Sequence, residues 1–167
     1  LFTQDETNSA TTKKGNKITK GLELGIRYNL NHNFQTSSSI TIQDTKNNNT
    51  TNSEDYKTDF SPKALAKLNL SYLMNRTRYS LMIDYISKMK ASFDTNKNKR
   101  IGKDSNHNIS VGVNVNHKLN KNLSFNLNIN NLLNRNNTTP AGSTLTNFYN
   151  GAFTKDREYL LTLKYKF

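Results

Sequence analysis

The sequence predicts an all-β protein, an antiparallel up-and-down meander of about seven to eight strands that forms part of a transmembrane β-barrel. Three observations point there. Apolar and polar residues alternate with a period of two in one segment after another. The connections between those segments alternate between short Asn-rich turns and long polar loops. The last segment, Arg157 to Phe167, ends on an aromatic residue. In it Tyr159, Leu161, Leu163, Tyr165 and Phe167 share one face, and Glu158, Thr162, Lys164 and Lys166 share the other, with Leu160 the exception.

The preceding segments repeat that polarity. Leu22, Leu24, Ile26, Tyr28 and Leu30 interleave with Glu23, Gly25, Arg27 and Asn29; Phe34, Ile40 and Ile42 interleave with Gln35, Ser37, Ser39, Thr41 and Gln43. Ala64, Ala66, Leu68, Leu70 and Tyr72 lie opposite Lys67, Asn69 and Ser71, and Tyr79, Leu81, Ile83 and Tyr85 lie opposite Arg78, Ser80 and Asp84. The clearest pair follows: Ile109, Val111, Val113 and Val115 against Ser110, Gly112, Asn114 and Asn116, then Leu123, Phe125, Leu127 and Ile129 against Ser124, Asn126 and Asn128. An alternation sustained this often is a strand signal.

The short connections are Asn31-His32-Asn33, Asn75-Arg76-Thr77 and Asn120-Lys121-Asn122, and Asn tolerates the left-handed backbone of tight hairpins. The long ones are residues 46–62, 87–107 and 134–156. Membrane barrels have short periplasmic turns and long external loops, a segregation that a soluble sandwich does not need. With Phe167 at the periplasmic rim, all three short turns fall on the periplasmic side. Residues 1–16 then read as the top of an earlier strand followed by an external loop. Tyr28, Phe34, Tyr72, Tyr79, Phe125, Tyr165 and Phe167 all fall near the short-turn ends, the depth of an interfacial girdle.

Composition agrees with this reading. Mean hydropathy is strongly negative, and no apolar run approaches the roughly 18 residues of a membrane helix, but alternating barrel strands score as polar in any window. The absence of cysteine removes disulfides, thiolate catalysis and cysteine-based zinc sites. The net charge of +12 raises nucleic acid as a partner. The lysines, however, are scattered over strands and loops with no basic helix or stacking platform, so no nucleic acid is expected. Lipopolysaccharide phosphates or an anionic ligand would use the same charge. The residues after Leu1 show no basic region followed by an apolar one, so the chain is expected to be a mature form or the C-terminal piece of a longer protein.

Several segments resemble the C-terminal barrel half of TonB-dependent outer-membrane receptors. Lys17 to Gly25, K-I-T-K-G-L-E-L-G, resembles that family's KG-x-E-L-E strand, and Phe60 to Tyr72, F-S-P-K-A-L-A-K-L-N-L-S-Y, its strand ending L-N-L-x-Y. Leu123 to Asn134, L-S-F-N-L-N-I-N-N-L-L-N, resembles the penultimate strand, and Tyr159 to Phe167 the closing one. The resemblance implies a Gram-negative outer-membrane receptor for energised uptake of a ferric chelate or similar small nutrient. It also implies a chain surrounded by outer-membrane lipid and lipopolysaccharide, and a terminal signal, Tyr165 and Phe167, read by the barrel-assembly machinery. TonB would act only through a plug domain that these residues do not contain. The family's barrel has about twenty-two strands, so residues 1–167 are expected to be a C-terminal segment of it. Thr162 stands where the terminal signal often has Gly.

Catalytic chemistry is not expected. Gly-x-Ser-x-Gly, Walker and dinucleotide motifs are absent, and His32, His107 and His117 stand apart, so neither cofactor nor metal is implied. His117 reads as an interfacial residue at the periplasmic rim, and Asp84 and Glu158 as lumen partners of Arg78, Lys164 or Lys67. Ligand chemistry belongs to the long loops. Lys97, Arg100 and Lys103 in one, with Arg135, Phe148 and Tyr149 in the other, offer charge and stacking to an anionic aromatic chelate. The alternative from another class is a soluble or surface-exposed, adhesin-like β-sheet binding protein whose apolar faces pack on each other.

Overall fold

A computed structural model describes residues 2–4, 11–13, 17–47, 57–94, 97–140 and 149–167. In chain order the strands are β1 (Phe2–Gln4), β2 (Thr11–Lys13), β3 (Lys17–Asn29), β4 (Phe34–Asn47), β5 (Ala64–Met74), β6 (Thr77–Ile86) and β7 (Phe93–Asp94). They continue with β8 (Lys99–Arg100), β9 (Asn108–Lys118), β10 (Leu123–Asn130), β11 (Thr138–Thr139), β12 (Ala152–Phe153) and β13 (Glu158–Tyr165). Seven of them form one sheet in the order β13-β10-β9-β6-β5-β4-β3, antiparallel at every step. All seven alternating segments of the sequence are strands of this meander. The sheet is open, with β3 and β13 at its edges. Residues 2–4 and 11–13 pair with each other, Phe2 opposite Lys13.

Register separates the two faces. One row across the sheet runs Tyr28, Thr36, Leu70, Leu81, Val113, Ile129, Tyr159; the next runs Asn29, Gln35, Ser71, Ser80, Asn114, Asn128, Leu160. Neighbouring rows therefore lie on opposite faces, one apolar and one polar. The apolar row starts near the turn end of β3 and finishes near the loop end of β13. Such a stagger is what tilts strands in a barrel. On the polar face Arg78 donates to Ser71 Oγ at 3.1 Å, and the Asn114 and Asn126 amides bond reciprocally at 3.0 and 3.2 Å.

Five apolar residues of the strands sit on the polar face: Leu65, Leu73, Met82, Ile86 and Leu160, with Met82 opposite Gly112. A Cβ added to Gly112 would come within 3.1 Å of Met82 Cε, so the glycine makes room for the methionine over the sheet. Lys67 lies directly opposite Asp84 in register, but the two side chains form no ion pair within 4 Å, nor does Asp84 with Arg78 or Lys164. Glu158 instead pairs with Lys155 at 3.0 Å, because β13 starts at the loop end and its first residue meets the loop before it meets the lumen wall.

The short turns form where Asn predicts them. Asn31 Oδ1 accepts the Asn33 and Phe34 N–H groups, and Asn120 Oδ1 accepts those of Asn122 and Leu123, all at 2.8 Å. Both are Asx turns, in which the side chain replaces a missing backbone acceptor. Asn75 serves differently, through a left-handed φ of 54°. At this end of the apolar face Phe34, Tyr72 and Tyr79 stand opposite one another in register, His117 packs on Phe125 at 5.3 Å between ring centroids, and Tyr165 meets Phe167 edge-on at 5.0 Å. His117 is also joined to Thr77 Oγ1 through Nδ1 at 2.7 Å.

Little of this sheet is covered by protein. Among the described residues the buried apolar side chains are Met89 and Ala91, both above the sheet, while Leu22 is 74% exposed and Leu163 69%. A soluble sandwich would lay a second sheet about 10 Å from that apolar face. The other described sheets are two-stranded pieces of two or three residues per strand. The adhesin-like alternative therefore has no second layer on which to rest, whereas a face turned to lipid needs none.

Val113 lies between Leu81 and Ile129 near the middle of the apolar face, and Asn114 is its neighbour on the polar face. In the assembled barrel Val113→Arg is expected to cost about 2–4 kcal/mol in denaturant unfolding from lipid vesicles, and Asn114→Arg less than about 1 kcal/mol. Equal costs at the two sites would contradict the assignment of faces.

Candidate ligand-binding surface

Above β6 and β9 the long connection 87–107 does not wander. It continues as a hairpin ending in β7 and β8, where Phe93 stands opposite Arg100. Met89 and Ser105 hold its stem: Ser105 N donates to Met89 O at 3.0 Å, and Met89 N donates to Ser105 Oγ at 2.9 Å. Asp104 adds a clamp. Its Oδ1 accepts the Ala91 N–H at 2.9 Å, and its Oδ2 accepts Lys90 Nζ at 2.8 Å. Burial on its own would raise the Asp104 pKa, but the Lys90 hydrogen bond, the Ala91 N–H and the charges of Lys90 and Arg100 outweigh it, holding the carboxyl below its ordinary value.

Asp59 ties the hairpin to the preceding loop. Its carboxylate accepts Phe93 N–H at 3.1 and 3.2 Å, Ser92 Oγ at 3.2 Å and Arg100 Nη1 at 2.7 Å. Arg100 also donates to the carbonyls of Ala91 and Lys57, and its guanidinium lies 5.8 Å from the centre of the Phe93 ring. Phe60, with φ of 55°, turns the chain so that its N–H reaches Lys90 O at 3.0 Å. Arg100, expected to meet ligand, is thus a structural anchor: its side chain is 12% exposed and is held among protein acceptors.

The other five expected residues have different positions. Lys97 is exposed at the hairpin tip beside Asp94, at 3.8 Å. Lys103 is exposed, and its N–H donates to Tyr149 O at 2.8 Å, so the two long loops touch where two of the expected ligand residues stand. Tyr149 is 61% exposed. The exposed Arg135 begins the second loop, its backbone gripped by Asn131, whose Oδ1 accepts Arg135 N–H and whose Nδ2 donates to Arg135 O, both at 3.0 Å. Phe148 lies outside the described residues.

A set of asparagines at the loop ends of the strands does the positioning. The Asn137 side chain pairs with the backbone of Ile109, donating to its carbonyl at 2.9 Å and accepting its N–H at 3.2 Å. The Asn108 side chain pairs in the same way with Thr138, at 2.8 and 3.1 Å. Each amide imitates one residue of a β-ladder, and this reciprocal clasp fixes the second loop against the top of β9. Asn131 and Asn134 both take left-handed φ, near 50°, and Asn134 Oδ1 accepts the Arg157 N–H at 3.0 Å where the chain returns to β13. The sequence signal was present in Asn131, Asn134 and Asn137, all close after β10. The run Asn47 to Asn52 lies, from residue 48 on, outside the described residues.

The three histidines remain apart. His117 faces Thr77 and Phe125, and His107 stacks on Tyr85 with Nδ1 2.7 Å from the phenol oxygen. Among the described residues no group of three or more His, Cys, Asp or Glu side chains is placed to hold a metal ion.

An open seven-stranded meander with a lipid-type outer face, Asn turns at one end and braced loops at the other has the build of a receptor wall. A family model described as "TonB dependent receptor-like, beta-barrel" matches residues 1–132. The chain belongs to the TonB-dependent receptor β-barrel family. No curated protein matches it significantly in sequence. Among solved structures it is similar to the E. coli K12 ferric-catecholate import receptor Fiu, at 18% identity and a TM-score of 0.76 over 99% of this chain and 23% of that one. It is also similar to the siderophore receptor PiuA of Acinetobacter baumannii (20%, 0.70, 96% of this chain and 23% of that one). A third is the pyoverdine outer membrane receptor FpvA of Pseudomonas aeruginosa PAO1 (15%, 0.73, 90% and 22%). These likenesses establish the fold, and this TonB-dependent barrel segment spans about a quarter of the length of each receptor. The family is one of transport receptors of the Gram-negative outer membrane, and this chain is a stretch of such a wall.

The Asp104 clamp gives the loop a pH dependence of definite sign. Its folded pKa lies below the ordinary 3.8, so its stabilisation is complete above 3.8 and is lost as pH falls through the lower folded value. Protection of the Ala91 N–H, corrected for intrinsic exchange, is expected to hold at neutral pH and to fall on acidification below that point. Asp104→Asn should show weaker protection at neutral pH and no acid step.

Proposed function

We propose that this chain supplies wall and external loops to a TonB-dependent receptor for a ferric chelate or similar small anionic nutrient. The meeting of the two long loops carries the reading: the Lys103 N–H donates to the Tyr149 carbonyl at 2.8 Å, which joins through the backbone a residue with an exposed cation and one with an exposed aromatic ring. A ferric chelate with anionic aromatic donors is met by that combination through charge and stacking. Lys97 and Arg135 extend the cationic surface on either side, and Phe148 belongs with Tyr149 by sequence. Arg100 acts through Asp59 by holding the hairpin in place. The names of the ferric-catecholate receptor, the siderophore receptor and the pyoverdine receptor support a chelate, although the copper transporter OprC shares the same wall fold. Energy would arrive through TonB and a plug domain inside the barrel, so the loops select the ligand and the wall encloses its path.

Assembly is a second part of the proposal. Tyr165 and Phe167 form an edge-on aromatic pair at the periplasmic end of the apolar face, a feature suited to recognition by the barrel-assembly machinery. The wall would be solvated by outer-membrane lipid and lipopolysaccharide.

In the complete receptor, Lys103→Ala and Tyr149→Ala are each expected to weaken binding of a recognised ferric catecholate or hydroxamate by about three- to tenfold, read by tryptophan quenching or calorimetry. Lys121→Ala, in a periplasmic turn, should leave it unchanged. A receptor that binds no ferric chelate, or binds one equally well after both loop changes, overturns the reading. For assembly, Phe167→Ala should lower the amount of folded receptor in the outer membrane, measured by heat-modifiable electrophoretic mobility, without changing ligand affinity per folded molecule.

A further inference from the structure

At the turn end of the sheet a cavity of about 510 Å³ is lined by Arg76, Lys118, Lys164 and Lys166, and its lining includes no carboxylate. Lys118 stands on the polar face opposite Ser124, and Ser124 stands opposite Lys164 on its other side. Lys166 follows Lys164 on that face. Three separate stretches of chain meet here, and backbone bonds join them: the Lys118 N–H donates to Arg76 O at 3.0 Å, and the Lys166 N–H to Asn122 O at 2.8 Å. Arg76 Nη1 reaches across to Leu119 O at 3.2 Å. The cations are therefore mounted on a hydrogen-bonded frame.

None of the four forms an ion pair within 4 Å with a described carboxylate. Lys118 and Lys164 lie two strands apart across Ser124, about 10 Å between backbones. Charges at that distance repel one another in a lumen that screens them less than bulk water, and an anion between them relieves the repulsion. The loop end of the same part of the wall has the opposite sign. There a cavity of about 370 Å³ is lined by Asp84, Asp156 and Glu158, with Lys155 as its cation, 3.0 Å from Glu158. Short turns mark the periplasmic side of a membrane barrel, so the polar face is negative near the external loops and positive at the periplasmic mouth. A small anion inside the lumen is drawn along this wall toward the turns.

We infer that the cavity at the periplasmic mouth binds a small polyanion, and that an anionic nutrient pauses there as it leaves the barrel. The site rests on the cavity itself, and its use by the nutrient rests on the reading of the ligand as an anionic chelate. Its volume is that of a small-molecule pocket. Arg76 offers a carboxylate or phosphate a planar pair of donors, and the lysines offer point charges around it.

The test uses the complete receptor in detergent, with metal-free citrate as the probe and lysine acylation mapped by mass spectrometry. Citrate should slow acylation of Lys118, Lys164 and Lys166 by about threefold or more and leave Lys20 and Lys99, at the loop end, unaffected. In calorimetry Lys118→Gln/Lys164→Gln/Lys166→Gln should bind citrate about tenfold more weakly than wild type, and Lys20→Gln/Lys88→Gln/Lys99→Gln equally well. Absence of protection at the three lysines overturns the site, and is the outcome if an acidic segment of a plug domain fills the cavity. Equal weakening by both triple variants overturns it too. Should the first triple variant lose its heat-modifiable mobility, the wild-type protection pattern decides by itself. Inorganic phosphate distinguishes the source of the anion: protection matching that of citrate at equal concentration overturns the nutrient's use of the site in favour of a free periplasmic anion. In cells the first triple variant should take up a recognised ferric chelate about threefold more slowly, and unchanged uptake overturns the pause. A wild-type receptor that shows citrate protection but binds no ferric chelate overturns the transport reading and leaves the site standing.

Discussion

In a hydrocarbon layer no water is available to satisfy a backbone N–H or C=O, so a spanning strand must pair on both sides, and everything else about this chain follows from that requirement. Antiparallel neighbours meet it with the shortest connections, which produces the meander β3 to β13. Pairing fixes register, and register with a period of two makes the faces separable. The row through Leu70, Leu81, Val113 and Ile129 can then be apolar while the adjacent row through Ser71, Ser80, Asn114 and Asn128 is polar. A protein core is unnecessary in such a design because lipid covers the apolar face. That accounts for a chain whose mean hydropathy is strongly negative and whose buried apolar side chains, among the described residues, lie in a loop.

The same pressure to satisfy the backbone explains the asparagines. Inside the sheet the ladder provides every partner. Where the ladder stops, the amide of Asn stands in for it, with one donor and one acceptor in a plane like that of a peptide group. At the periplasmic turns Asn31 and Asn120 cap two N–H groups each. At the external end Asn108 and Asn137 extend the ladder through side chains, and Asn131 grips the first turn of the following loop. A composition that resembles low-complexity filler is therefore, at these positions, structural. Its consequence for function is that the loops above β9 and β10 are held in place before any ligand arrives.

Charge divides along the same geometry. Arg100 and Asp59 form a sheltered pair that braces one loop against another, while Lys97, Lys103 and Arg135 remain exposed in the loops. Lys46, Lys57, Lys63, Lys88 and Lys90 line a separate cavity at the loop end of the sheet. A net charge of +12 is thus distributed over more than one surface.

The sequence by itself determined the strands, their faces and the short turns, because each depends on residues two to four positions apart. A period of two and a left-handed Asn are local facts. It also carried enough ordered resemblance to indicate the family. The tertiary structure decided how residues far apart in the chain divide the work. Arg100 looked like Lys97 and Lys103 in a basic loop, and only the approach of Asp59, 41 residues away, made it an anchor. Asn108 and Asn137 looked like loop asparagines until β9 and the last loop came within hydrogen-bond distance. Met82 on the polar face acquires its reason from Gly112 on the neighbouring strand. Nor does any spacing in the sequence group Lys46, Lys63 and Lys88 into one cavity. These assignments depend on strand neighbours whose separation along the chain is set by loop length, and a local pattern holds no record of which distant residue will arrive opposite it.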